Sequence, residues 1–240
     1  MEANSESPPV RLLDAINAGT RIAILAPHPD DESLGTGGLI QIATARGAQV
    51  HVVFVTDGDN NPWPQRFVER RWFIDAPERA RWGARRRLEG QKALALLSQG
   101  QGTSESLGLP DAGILALWEA QMPGPNPAIE KLFREWQPQI VVVPSEIDRH
   151  PDHQATHEYG LDAIRQIGLH CLVYSYCIHR PWSQKMLRRH VASDALTLSS
   201  HEQSQKLAAI HCHETQMALS AGRFSKFASP LERYTLVQIS

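Results

Sequence analysis

Two apolar runs in this chain, Arg21 to Leu25 and Ile140 to Val143, each lead into a turn holding a histidine followed by proline, and each turn feeds a helical pattern. A short, uninterrupted apolar run suits a strand covered on both faces, as in a parallel sheet. The residue before proline is held extended, and proline is accepted at the first helical position. His28 is therefore placed at a strand's exit, with a helix beginning at Pro29, and His150-Pro151-Asp152-His153 repeats the arrangement. Loops leaving the carboxyl ends of neighbouring parallel strands converge on one crevice. The two corners, distant in sequence, are expected to meet there.

The residues at these corners suit a metal. In Ala26-Pro27-His28-Pro29-Asp30-Asp31-Glu32, the i, i+3 spacing sets the His28 imidazole and the Asp31 carboxylate on one side of the first turn, while Asp30 between them points elsewhere. With His153 they make three ligands and leave a fourth position for water. Two imidazoles and one carboxylate suit zinc, and iron(II) fits the same donors, whereas an all-oxygen set would indicate magnesium or calcium. Such a site lowers the pKa of a bound water from about 16 toward 7. The acidic cluster offsets the positive helix N-terminus, and Asp30 is placed to take the water's proton, best done with a pKa raised by burial.

The remaining pattern fills in an α/β chain. Helices are expected over Val10 to Ala18, Asp30 to Gly47, Pro77 to Leu97, Pro127 to Trp136, Asp152 to Ile167 and Glu202 to His213; strands over Val50 to Thr56, Glu105 to Leu109, Leu172 to Ile178 and Tyr234 to Ile239. Residues 57–76 break the periodicity with prolines, tryptophans and arginines and read as a lid over the crevice. Basic residues outnumber acidic ones from Arg66 to Lys92, enough to grip a substrate carboxylate or phosphate, although a solvated face explains most of them. Trp63, Trp72 and Trp82 have the character to stack on a sugar or to pack beneath the lid. Gly35-Thr36-Gly37-Gly38 lies within a helix behind carboxylates that would repel a pyrophosphate, so close helix packing explains it better than a dinucleotide.

Composition bounds the rest. A chain of 240 residues with a formal charge of -2 fits one large domain, 10–240, after a disordered tail, 1–9, and gives no global signal for nucleic acid or an anionic membrane. Three cysteines without Cys-x-x-Cys spacing point to reduced thiols. The chain opens without a secretory signal and has no run of membrane-spanning length, so a cytoplasmic protein without membrane insertion is expected.

The His-Pro-Asp-Asp-Glu run followed by a distant His-Pro-Asp-His resembles the LmbE-like, or PIG-L, family of zinc-dependent N-deacetylases. Thr56-Asp57-Gly58, Arg86 with Glu89, and Lys206 followed by His213-Glu214-Thr215-Gln216 are similar to the family's weaker motifs. The resemblance implies a Rossmann-like, mostly parallel sheet with helices on both faces. It implies Asp30 as base, His153 as ligand, His150 as the group that binds the oxyanion or protonates the leaving amine, and Asp57, Arg86 and His213 beside the substrate. It implies a small N-acetylated sugar conjugate, such as one of N-acetylglucosamine, as substrate, and is compatible with a homo-oligomer. The other classes to weigh are a metal-dependent hydrolase of another amide and a noncatalytic carbohydrate- or nucleotide-binding module.

Overall fold

The computed structural model describes residues 11–121, 126–180 and 194–239. The expected tail, 1–9, lies outside them. Seven strands form one sheet in the order β3-β2-β1-β4-β5-β7-β6: β1 (Arg21–Ala26), β2 (Gln49–Thr56), β3 (Thr103–Leu109), β4 (Ile140–Pro144), β5 (Leu172–Tyr176), β6 (Asp194–Thr197) and β7 (Leu231–Val237). The first five run parallel, and β7 joins β5 and β6 antiparallel. The apolar runs at β1 and β4 are buried throughout their centres because both sheet faces are covered.

One face packs the Ile22, Ile24, Val50 and Val52 side chains against α1 (Asp31–Ala45), α3 (Ala76–Leu97) and α7 (Ser200–Cys212). The other packs Ala23, Leu25, Val141 and Val143 against α4 (Ile114–Gln121), α5 (Pro127–Trp136) and α6 (Pro151–Ile167). Two further helices are α2 (Pro62–Glu69) and α8 (Glu214–Phe224).

Several boundaries differ from the sequence expectation. Only a 3-10 turn, Leu12–Ala15, forms where a helix over Val10 to Ala18 was expected. The first helix begins at Asp31, with Asp30 as its cap, so His28 lies in the turn before it. The 57–76 stretch holds α2, because Asn61 caps an amide and the prolines sit in the first turn, where no helical donor is lost. The periodicity also missed α4, β6 and α8. The glycines behave as expected: a Cβ on Gly35 would overlap the Tyr176 ring, one on Gly38 would overlap Leu198, and one on Gly37 would press on Lys206.

The strand order places β1 beside β4, with connections leaving in opposite directions, which is the switch point of an open parallel sheet. Both His-Pro corners leave the carboxyl ends of these two strands.

Candidate metal centre

The first corner is a strained turn held from several sides. Asp30 has φ 144°, a region in which a side chain costs about 1–3 kcal/mol. Its amide donates to Glu32 Oε2 at 2.9 Å, and its carbonyl accepts from Ser33 and Leu34. From α3, buried Arg86 donates through Nη2 to the Pro29 carbonyl at 2.8 Å and to Asp30 Oδ2 at 3.0 Å, and through Nη1 to the Gly58 carbonyl. Burial raises the Asp30 carboxyl, the Arg86 guanidinium opposes it and the Asp31 charge adds to it, leaving it pushed up to about 6.

At the second corner His150 caps α6, its Nδ1 accepting from the Asp152 amide at 3.3 Å. His153, one turn in, is fully buried. Asp31 Oδ2 joins the corners, standing 3.1 Å from His28 Nδ1 and 3.3 Å from His153 Nε2. The ligand atoms of His28, Asp31 and His153 all lie within 4.8 Å of one another.

Each ring's other nitrogen faces a carboxylate. His28 Nε2 lies 3.2 Å from both Asp152 and Asp111, and His153 Nδ1 lies 3.2 Å from Asp148. These carboxylates are themselves anchored. Asp152 accepts from the amides of Ala112 and Ile114 at the start of α4, and Asp148 accepts from those of His150, Ile178 and His179. Carboxylates behind imidazoles in this way fix ring orientation and basicity at a metal.

The donor set passes a test of fit. Both nitrogens of buried His153 stand 3.2–3.3 Å from carboxylates without a well-formed hydrogen bond, so Nε2 can offer its lone pair to an ion while Nδ1 stays turned toward Asp148. The field also favours positive charge, on a protonated ring or on an ion. Burial lowers the His153 ring, yet Asp31 and Asp148 outweigh it and push it up to about 9; His28 is likewise raised well above its ordinary value despite burial. Asp31 and Asp148 are held well below the usual carboxylate range, and Asp111 at about 2, each against the burial that would raise it. His150 goes the other way: burial, then His28 and His153, hold it down at about 4.

A cleft of about 710 Å³ opens over these groups and is lined by His28, Asp30, Asp31, Arg86, Asp111 and His150, among others. The other expected substrate residues lie elsewhere in the surroundings. Asp57 pairs with Arg87 and accepts from Ser106 Oγ at 2.7 Å, outside the cleft lining. His213 is buried behind Asp30, with Nε2 2.9 Å from Glu32 Oε1. Trp82 packs inside with Arg85 over its ring, while Trp63 and Trp72 stay exposed.

Sequence reasoning passed over Asp111, Asp148, Asp152 and His179. Asp148 and Asp152 flank His150 at two residues on either side, a signal present in the chain. His179, set aside as ordinary, meets Asp148 at 3.2 Å, and the two form another candidate ligand cluster with His153. No spacing marks it, because β5 alone brings it in.

A family model described as PIG-L, GlcNAc-PI de-N-acetylase, matches residues 23–164. The chain is 28% identical over 172 residues to a 1D-myo-inositol 2-acetamido-2-deoxy-alpha-D-glucopyranoside deacetylase of Saccharopolyspora erythraea, covering 63% of this chain and 56% of that protein. It spans about half the length of the curated relatives it matches. Among solved structures, the N,N'-diacetylchitobiose deacetylase of Pyrococcus horikoshii superposes with a TM-score of 0.66 at 19% identity, covering 91% of this chain and 84% of that one. The 4-carboxy-2-hydroxymuconate hydratase of Pseudomonas putida KT2440 superposes with a TM-score of 0.64 at 19% identity, covering 91% and 96%. At these identities the superpositions establish a shared fold.

Proposed function

The chain belongs to the PIG-L family, and from that premise we propose that it hydrolyses the N-acetyl amide of an amino-sugar conjugate, with a divalent cation, zinc by its donor set, held by His28, Asp31 and His153. A cation bound there supplies an acidified water and polarises the acyl oxygen. The observation that carries the reading is Asp31 Oδ2 set between two imidazoles whose outer nitrogens each face an anchored carboxylate.

The chain's own groups divide the remaining work. Asp30 lines the cleft and takes the proton of the attacking water, its carboxyl held in place by Arg86 and raised by burial toward the range a general base needs. Asp30 then passes that proton to the leaving nitrogen. His150 accepts a backbone hydrogen bond at Nδ1, so its proton sits on Nε2, where it donates to the oxygen of the tetrahedral intermediate. His213 and Glu32 act through Asp30, since Glu32 binds both His213 and the Asp30 amide.

The fold also serves a hydratase, so the bond must be tested directly. Purified protein should carry stoichiometric metal and release acetate from N-acetylglucosamine conjugates, with chelation abolishing release. Metal-replete protein that releases no acetate from any N-acetylated sugar would sink the proposal.

A further inference from the structure

The cleft changes sign from floor to rim. On the floor the carboxylates have partners: Asp30 has Arg86, Glu232 has buried Lys206 at 2.5 Å, and Asp31 and Asp111 face the histidines. The rim differs. Arg180 after β5, Arg223 and Lys226 around the end of α8, and Arg233 on β7 are exposed and line the same cleft. Among the described residues no carboxylate pairs with any of these four, although Arg223 lies over the Phe224 ring. Elsewhere on the surface, arginines such as Arg81, Arg85 and Arg134 do pair.

Like charges from three separate segments are costly to gather in a concavity, where low-dielectric walls concentrate their field. The floor does not need them, because its own charges are matched. These cations line the same cleft as His28, Asp31 and Asp30, so they share its space with whatever binds over the reacting groups.

We infer that the rim formed by Arg180, Arg223, Lys226 and Arg233 is a subsite for an oxyanion, so that the substrate is an N-acylated amino sugar bearing a phosphate or carboxylate away from its amide. The inference rests on the deacetylase reading for the direction of binding, but the rim's preference is measurable without turnover. Arginine meets either anion with paired, charge-assisted hydrogen bonds.

The test is calorimetric binding of N-acetylglucosamine 1-phosphate, N-acetylmuramic acid and neutral N-acetylglucosamine to metal-loaded Asp30→Asn protein, at low and high salt. One or both anionic sugars should bind at least about tenfold more tightly than the neutral one, and the arm that gains identifies phosphate or carboxylate. That ratio should collapse in the Arg223→Gln, Arg233→Gln double variant and shrink with salt. Lys226→Gln, which should lower the ratio in the same direction, replaces the double variant if the latter does not fold. Equal binding of all three sugars, or binding of none, overturns the rim. Acetate release by the wild-type protein separates the two readings. A persistent anion preference without release from any sugar removes the deacetylase and keeps the subsite, whereas release without preference does the reverse.

Discussion

Arg86 and Asp30 form a buried ion pair 3.0 Å long, and the same guanidinium nitrogen holds the carbonyl of Pro29, so one side chain fixes both the backbone and the carboxylate of the strained corner. Removing either partner leaves the other charge buried alone. Arg86→Met should lower unfolding free energy by about 3 kcal/mol in urea titration. Adding Asp30→Asn should restore part of that loss, since no carboxylate then lacks a partner. Additive losses in the double variant would show that the pair is not coupled.

Asp30→Asn alone should lose stability, because Arg86 is left without its carboxylate, yet stay folded and keep the metal while turnover falls about 100-fold or more. Acetate release and metal analysis on the same sample check both halves. Activity near wild type would remove Asp30 as the base.

Asp148 faces Nδ1 of His153, on the opposite side of the ring from Nε2, the proposed ligand atom that faces Asp31. Asp148→Asn should therefore weaken metal affinity about 10- to 100-fold, measured by competition with a chelator, with all three proposed ligands present. His153→Ala should lose the metal altogether. Unchanged affinity in Asp148→Asn would assign that carboxylate to α6 and β5 packing alone.

Gly35 sets helix propensity against space. Alanine is favoured over glycine in a helix by about 1 kcal/mol, yet a Cβ here meets a Tyr176 ring tethered through its hydroxyl to the Leu25 carbonyl. Gly35→Ala should destabilise by about 1–3 kcal/mol in a thermal or urea melt. A stabilised variant would mean the ring can move aside.

Burial lowers His213, but the Glu32 charge and hydrogen bond outweigh it, and the folded pKa ends above its ordinary 6.5. A raised pKa means the folded state holds the proton more tightly. Its contribution to stability is fully present below about pH 6.5 and is lost as pH rises through the higher folded value. The stability gap between metal-free wild type and His213→Gln should accordingly be wider at pH 6 than at alkaline pH. A gap that grows with pH would reverse the sign.

The central sheet and the two corners were legible because their signals are local: apolar runs, prolines and the spacing from His28 to Asp31 all lie within a few residues. The fold matches the expected mostly parallel sheet flanked by helices. Residues that act through tertiary contact were harder to read. Asp111 reaches His28 from a turn after β3, and His179 reaches Asp148 from the end of β5, with nothing in their neighbours to mark them. Arg86 was singled out as a substrate group, and it lines the cleft, but its Nη atoms also hold Asp30, Pro29 and Gly58; a sequence gives no account of how far a side chain is already engaged. Helix α2 was hidden by prolines that read as breakers until their first-turn placement was known.

His28 and Asp152 meet at 3.2 Å across 124 positions of chain, because β1 and β4 are sheet neighbours. On the proposed ligands His28, Asp31 and His153, no nascent segment ending before β4 holds the full set, and no partly folded species in which those two strands have yet to pair brings it together. With the proposed ligand set, capture of an ion would therefore be a late event in maturation, and the fraction of molecules carrying one would gauge how many have completed the middle of the sheet.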